Sequence, residues 1–333
     1  MHLHEAGEFG LIARLAQRLA QRPGVRLGIG DDAAVLEALA APIVTCDGLV
    51  EQVHFRRDWT TPRQLGRKAI AVNVSDIAAM GGRPVAAFIT LALAAGDDVE
   101  FVEELYSGFE EAASFYGLTI AGGDTVRSLS GLMLNVALIG DAPHAVTRGG
   151  AGAGDVLLVT GTLGDAAAGL ALLQAPAVVA PSVREPLLQR HHDPTARLAE
   201  MHAALSITAA PAAVKAALDI SDGLAGDAGH LAHRSQVSLE IDVELLPIGR
   251  ACREAALVLG VDVLDWVLRG GEDYELLLSV APDVAGAVAD AVVRATGTPV
   301  TAIGRCLPPS GAPVVLVHAD GRRERAGGAF SHF

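Results

Sequence analysis

The chain has 333 residues, 51% of them apolar, and a formal net charge of −14. That length suits two domains or one large one, and the composition supplies a full core. So acidic a balance offers no field to nucleic acid or an anionic membrane; an anionic substrate must be met locally by Arg, backbone N–H groups or bound cations.

Phe9, Ile12, Leu15 and Leu19 recur at helical spacing, which predicts a helix over 5–22, stopped by Pro23-Gly24. A turn with two adjacent carboxylates follows, Gly28-Ile29-Gly30-Asp31-Asp32-Ala33. Residues 43–46 read as a short strand that delivers Asp47 at its end. Pro62 sits at a favoured first-turn position of a helix running to about 80. Asn73 and Asp76 share one face of it, beside Ile70, Val72 and Ile77; such a polar pair either pairs structurally or serves a site. A strand over 85–93, a helix with an acidic start over 97–116, and a strand over 118–121 lead into Gly122-Gly123-Asp124. After a strand over 131–140, the glycine-rich stretch 141–154 reads as a domain boundary.

The second half restarts the theme. Strand 155–160 and helix 163–173 come first, then helical residues 183–206 broken at Pro194. Strand 214–218 ends at Asp219, helix 223–235 and strand 238–243 follow, and helices near 250–259 and 262–268 precede Gly270-Gly271. Strand 274–280, helix 284–295 and strands at 299–304 and 313–318 complete two α+β halves. Three cysteines, Cys46, Cys252 and Cys306, are too scattered for a disulfide framework or a zinc site, which fits a reducing cytoplasm. The first residues lack a charged-then-apolar signal pattern. The longest apolar stretch, around 203–217, is broken by Pro211 and Lys215, so no membrane span is expected.

There is no Walker loop, no convincing dinucleotide fingerprint, no Gly-x-Ser-x-Gly and no His-Glu-x-x-His. What remains is a set of carboxylates beside Gly, Ser or Thr: Asp31, Asp32, Asp47, Asp76, Asp124, Asp219 and Asp222. One such turn alone is an ordinary tight turn. Repeated, they suggest a metal-rich phosphate site, because oxygen-only ligands select Mg²⁺ or Ca²⁺ over Zn²⁺. Several such ions could neutralise a triphosphate with almost no help from lysine, which occurs only at 68 and 215. Phosphoryl transfer needs positioning and charge neutralisation more than covalent catalysis.

In order and spacing these stretches resemble the thiamine-monophosphate kinase family, within the ATP-binding superfamily of aminoimidazole ribonucleotide synthetase. The likeness rests on Gly28-Ile29-Gly30-Asp31-Asp32-Ala33, Asp47 with His54-Phe55, the run from Lys68 to Gly81, and Gly122-Gly123-Asp124-Thr125. It continues through Thr147-Arg148, Asp219-Ile220-Ser221-Asp222-Gly223-Leu224, Gly270-Gly271-Glu272-Asp273-Tyr274-Glu275-Leu276 and Phe330-Ser331-His332-Phe333. The resemblance implies an α/β, two-domain fold of the synthetase type. An N-terminal domain over 1–148 would bind ATP and Mg²⁺, its mixed sheet forming a barrel with a second copy in a homodimer. A C-terminal α/β sandwich domain over 149–333 would close over the substrate site.

The reaction implied is in-line transfer of a phosphoryl group from ATP to thiamine monophosphate, giving thiamine diphosphate, with several Mg²⁺ ions, in the cytoplasm. By family likeness the metal positions are Asp32, Thr45, Cys46, Asp47, Asp76, Asp124, Asp219 and Asp222, with Asp222 and Asp124 catalytic. Tyr106, Gly123, Asp124, Arg148 and Ser221 correspond to nucleotide positions, and His54, Glu272 and Phe330 to thiamine-phosphate positions. An aromatic such as Phe330 can stack on a cationic thiazolium, and Glu272 can accept from the aminopyrimidine. Cys46 stands where the family usually has Thr; a thiol is a poor Mg²⁺ ligand, so either its backbone carbonyl binds or one ion is held more weakly. Gly48 also stands where Thr is common. Two other readings are a relative with a different phosphate acceptor and a catalytically silent nucleotide-binding or scaffold protein.

Overall fold

The structure is a computed structural model and describes residues 8–29, 33–175, 178–207 and 212–327. The chain forms two units, one of Met1–Ile77 with Gly82–Pro143, the other of Ala78–Gly81 with His144–Phe333. The division falls inside the glycine-rich 141–154 stretch.

The first unit begins with α1 (Glu8–Ala16) and a small antiparallel pair, β1 (Val25–Leu27) and β2 (Val35–Leu36). Then come β3 (Pro42–Val50), α2 (Pro62–Ala79), β4 (Arg83–Leu93), α3 (Val99–Tyr116), β5 (Thr119–Arg127) and β6 (Met133–Asp141). The four long strands make one sheet in the order β3-β6-β4-β5. Only β4 and β5 are parallel, joined by the α3 crossover that a parallel pair requires. The start of α2 is a capping box: Thr61 Oγ1 accepts from Gln64 N at 3.2 Å, and Gln64 Oε1 accepts from Thr61 N at 3.1 Å. In α3, Val102, Leu105, Phe109, Ala112 and Ala113 fall at helical spacing and are all buried.

Burial alternates along the strands. Leu134, Val136 and Leu138 on β6 and Ile89, Leu91 and Leu93 on β4 are buried, whereas Asn135, Ala137, Thr90 and Ala92 between them are half-buried. One face of this sheet is therefore covered and the other open. On the open side Val44 is 68% exposed, and Met133 is 43% exposed.

Several sequence expectations change here: the strand expected over 43–46 runs from Pro42 to Val50, paired along its length with β6, so Asp47 sits within it and not at its end. The first helix stops at Ala16 instead of running to 22, because the chain leaves it to bond α3: Ala20 N donates to Glu110 at 3.3 Å, and Arg22 donates to Glu110 and, at 2.9 Å, to Leu118 O. The strand predicted to end at 121 runs to Arg127, straight through Gly122-Gly123-Asp124. Gly and Asp are poor strand formers, but pairing with β4 supplies the backbone partners. Gly123 is required there, since a Cβ would lie 1.9 Å from Ile89 O. Gly123→Ala is accordingly expected to destabilise by about 1–3 kcal/mol or more, read by urea denaturation; an unchanged midpoint would mean that β5 can move away from β4 without loss.

The second unit contains β7 (Val156–Thr160), α4 (Asp165–Gln174), α5 (Pro181–His192), α6 (Leu198–Leu205), β8 (Val214–Ile220), α7 (Leu224–Ser235) and β9 (Ser238–Asp242). After a short 3-10 turn come α8 (Arg250–Leu259), α9 (Val263–Arg269), β10 (Glu275–Val280), α10 (Ala285–Thr296), β11 (Val300–Leu307), β12 (Val314–Val317) and β13 (Arg323–Arg325). Seven strands form one sheet in the order β13-β12-β9-β11-β7-β10-β8, antiparallel except for β12 with β9. Both faces are covered. Leu157, Val159, Leu218 and Leu277 pack with Leu224 and Leu231 of α7. Leu158, Ala217, Leu276 and Leu278 pack on the other side with Met201 of α6 and Val288 and Val292 of α10. Burial on both faces explains the near-continuous apolar strands here. Among the described residues no helix is long and apolar enough to cross a membrane.

Candidate functional site

Asp32 and Phe330, two of the expected site residues, lie outside the described residues. The others divide between the two units.

In the first unit, β3 presents Thr45 and Asp47 on its covered face and Cys46 and Gly48 on its open face. Helix α2 meets the covered face with its polar stripe. Thr45 Oγ1 donates to Asp76 Oδ2 in a short hydrogen bond. One turn earlier, buried Asn73 accepts from Asp47 N at 3.2 Å and donates to Ala69 O at 3.0 Å. The polar pair on α2 thus faces the strand that carries Thr45 and Asp47.

Cys46 faces the other way. Its Sγ donates to Asn135 Oδ1 on β6 at 3.2 Å. Asn135 stands in register with Gly48 and Thr90, and Thr90 with Asp124. Asp124 therefore belongs to the open-face row of the sheet, and its Oδ1 accepts from Thr125 N at 2.8 Å. The fold gathers Thr45, Asp47 and Asp76, while the Cys46 thiol and Asp124 belong to the opposite face. Since Cys46 projects away from Thr45 and Asp76, Cys46→Thr is expected to change stability by no more than about 0.5 kcal/mol. Urea denaturation checks this, and a larger change would mean that the thiol's bond to Asn135 matters to the sheet.

His54 lies in the turn after β3, where its Nδ1 accepts from Val50 N at 3.1 Å. Arg57 pins that turn by bonding Glu51 at 3.0 Å and Asp97 at 2.7 Å. Tyr106 is only 7% exposed and packs edge-on against Phe109, with ring centroids 5.1 Å apart. Burial pushes its phenol up to about 12.

In the second unit, two stretches far apart in sequence are knitted together. Glu272 N donates to Ser221 O and Tyr274 N to Ile220 O, both at 2.8 Å. Gly271 permits the approach, because a Cβ there would lie 2.6 Å from Ser221 O. Glu272 and Tyr274 have φ of 71° and 50°, the left-handed region that costs a non-glycine residue about 1 kcal/mol or more. Their two backbone bonds hold that conformation. Glu272 Oε2 is 3.2 Å from Nδ1 of buried His191 on α5.

Beneath this turn lies a buried charge cluster. Glu275 is fully buried and takes Arg197 in two bonds of 2.7 and 2.6 Å, Arg190 at 2.7 Å and Thr160 Oγ1 at 2.7 Å. Arg190 also donates to Asp273 O at 3.0 Å. The Asp273 side chain accepts from Gly164 N at 2.8 Å, ahead of α4, and burial pushes it up to about 8.

Buried Asp219 is the penultimate residue of β8, in register with Leu276, and after Ile220 the chain turns through Ser221 and Asp222. Both backbone N–H groups of that turn donate to a single oxygen, Asp227 Oδ2, at 3.0 Å each. Burial raises Asp227 to about 7, and the charge of Asp222 adds to that; the two backbone bonds and the charge of Arg148 oppose it. Arg148, which is exposed, is held by its backbone, with its O accepting from Ser235 Oγ at 2.9 Å. Thr147 O accepts from Ala217 N at 3.1 Å.

Asp227, His191, Arg190, Arg197 and Glu275 escaped sequence reasoning as site-forming groups. An acid in the first turn of a helix was a usable signal for Asp227. Nothing local marks the others: Arg197 and Arg190 meet Glu275 across 78 and 85 residues of chain, and Thr160 meets it across 115. Among the described residues no three His, Cys, Asp or Glu side chains converge to hold a metal by themselves. The oxygen donors Thr45, Asp47, Asp76, Asp124, Asp219 and Asp222 suit Mg²⁺, which commonly takes one or two carboxylates and completes its shell with phosphate oxygens and water. The Cys46 thiol does not.

The chain matches two family models, AIR synthase related protein, N-terminal domain, over residues 30–142, and AIR synthase related protein, C-terminal domain, over residues 152–314. It is 39% identical over 280 residues to the thiamine-monophosphate kinase of Aquifex aeolicus (strain VF5), covering 84% of this chain and 87% of that one. The crystal structure of thiamine-monophosphate kinase from Stenotrophomonas maltophilia K279a is similar at a TM-score of 0.81 and 37% identity, covering 96% of this chain and 98% of that one. The structure of AaThiL complexed with AMPPCP and TMP is similar at a TM-score of 0.77 and 36% identity, covering 100% and 99%.

Proposed function

The chain belongs to the thiamine-monophosphate kinase family of AIR-synthase-related proteins, and from that membership we propose that it phosphorylates thiamine monophosphate with ATP, giving thiamine diphosphate and ADP. The observation that carries the reading is the whole-chain likeness to AaThiL complexed with AMPPCP and TMP. The substrate phosphate attacks the γ-phosphate in line, and the protein's part is positioning and charge neutralisation.

Asp222 and Asp124 are the carboxylates nearest the chemistry in this reading. Gly123, Asp124, Tyr106, Arg148 and Ser221 receive the nucleotide, and His54, Glu272 and Phe330 receive thiamine monophosphate. Glu272 has the chemistry for the amino group of the pyrimidine, and its left-handed backbone and the neighbouring His191 limit where it can point. Arg148 brings a fixed cation to a negatively charged nucleotide. Several Mg²⁺ ions, held by Asp32, Thr45, Asp47, Asp76, Asp124, Asp219 and Asp222, would offset phosphate charge, and Cys46 would contribute through its carbonyl. The functional division in this reading, 1–148 and 149–333, lies five residues past the structural division after Pro143. The open face of the four-stranded sheet, with Val44 68% exposed and Val126 and Met133 each 43% exposed, supports a homodimer that buries it. The enzyme works in the cytoplasm.

The test is a coupled ADP-release assay with ATP, Mg²⁺ and thiamine monophosphate, the product identified by mass. Thiamine diphosphate formed only when Mg²⁺ is present is expected. Tight Mg²⁺–ATP binding without product would overturn the acceptor, and a panel of small phosphate acceptors would follow.

A further inference from the structure

Helix α7 carries a bond to a candidate nucleotide segment at each end. At its N-terminal end Asp227, 4% exposed, accepts both N–H groups of Ser221 and Asp222 on one oxygen, at 3.0 Å each. At its C-terminal end Ser235 Oγ donates to Arg148 O at 2.9 Å and accepts from Ala151 N at 3.1 Å. Along the same helix Leu224, Ala228, Leu231 and Ala232 are buried in the core against the sheet. The helix is thus fixed to the sheet, and both segments are fixed to the helix.

We propose that α7 is a brace for the nucleotide site, with Asp227 the positioning residue that sets the Ser221–Asp222 turn and Ser235 the one that sets Arg148. This deepens the kinase reading and rests on it. Asp227 has no need to touch nucleotide or metal. Its carboxylate takes up the N–H groups of the turn, which leaves the Ser221 and Asp222 side chains to the ligand. The required feature is an acceptor oxygen at that point, so Asn serves where Ala does not. Glu272 is tied to the same turn through Ser221 O, but its own turn has further anchors in Arg190 and His191, so it loses less than Ser221 and Asp222 when Asp227 is removed.

The experiment compares wild type with Asp227→Ala, Asp227→Asn and Ser235→Ala. Calorimetry measures Mg²⁺-dependent binding of AMPPCP, and steady-state kinetics measure the KM for thiamine monophosphate. Asp227→Ala is expected to weaken AMPPCP binding by about tenfold or more, ~1.4 kcal/mol. Its KM for thiamine monophosphate should stay within about threefold of wild type, and Asp227→Asn should recover AMPPCP affinity to within about threefold. Ser235→Ala, at a half-buried site, should weaken AMPPCP binding by a smaller factor. Should the Ala variant fail to fold, Asp227→Ser takes its place, polar but too short to reach both N–H groups.

A folded Ala or Ser variant that binds AMPPCP like wild type overturns the proposal. So does an Asn variant as weak as Ala, or a parallel loss of both substrates. Wild-type protein that binds Mg²⁺–AMPPCP but makes no thiamine diphosphate overturns the kinase reading and leaves the brace to be judged by binding. Wild-type protein that binds no nucleotide overturns both.

Discussion

Asp222→Ala is expected to lower thiamine diphosphate formation by about 10²–10³-fold while leaving the fold intact. The structural use of residue 222 lies in its backbone: its N–H donates to Asp227 at 3.0 Å, and alanine keeps that N–H. The side chain is half-buried, and its charge acts against the neighbouring Asp227 by raising that group's proton affinity. Removing it should therefore cost little stability or even add some. It also deletes a carboxylate from the proposed phosphate site. Loss of one pre-organised electrostatic group typically lowers turnover by about 10²–10³-fold. The checks are product formation by mass and thermal unfolding on the same preparation. Turnover within about tenfold of wild type, ~1.4 kcal/mol, would remove Asp222 from the chemistry. Unchanged partner binding with no activity in the wild type would instead favour the scaffold reading.

Glu275→Ala should give the largest loss of stability. Glu275 is fully buried and is the shared partner of Arg190, Arg197 and Thr160. Removing one member of a buried ion cluster leaves the opposite charges uncompensated, at a cost of about 3–5 kcal/mol. The change should appear in the midpoint of urea unfolding. Glu275→Gln keeps the shape and one acceptor and should lose less. A second effect follows from geometry: Arg190 also bonds Asp273 O, beside Glu272. A loosened turn at 270–274 should raise the KM for thiamine monophosphate more than that for ATP. A stability loss under about 1 kcal/mol would mean that the arginines reach water once Glu275 is gone.

Much of the fold was legible from local pattern. Apolar spacing predicted α2, α3 and α7 within a few residues, because helix faces and their stops are written within one or two turns of chain. Strand β8 was legible for the same reason, although it runs one residue past Asp219, to Ile220. Strand β5 was not, since Gly122-Gly123-Asp124 reads locally as a turn. Its extension to Arg127 depends on β4 lying alongside, a partner more than thirty residues earlier in the chain. The short α1 likewise reflects Glu110, 90 residues on from Ala20.

By itself the amino-acid sequence determined the acidic, oxygen-donor chemistry, the two α+β halves and the family likeness, since these reside in residue types and short spacings. The tertiary structure alone decided which side chains meet. It set Thr45 against Asp76 and turned Cys46 to the opposite face, because strand side chains alternate and only one face of that sheet is covered. It joined the 219–223 and 270–274 stretches through backbone bonds, and it placed Asp227 beneath one and Arg190 with Glu275 beneath the other. Contacts of that kind come from chain segments brought together by burial of a shared core, and no local spacing encodes them.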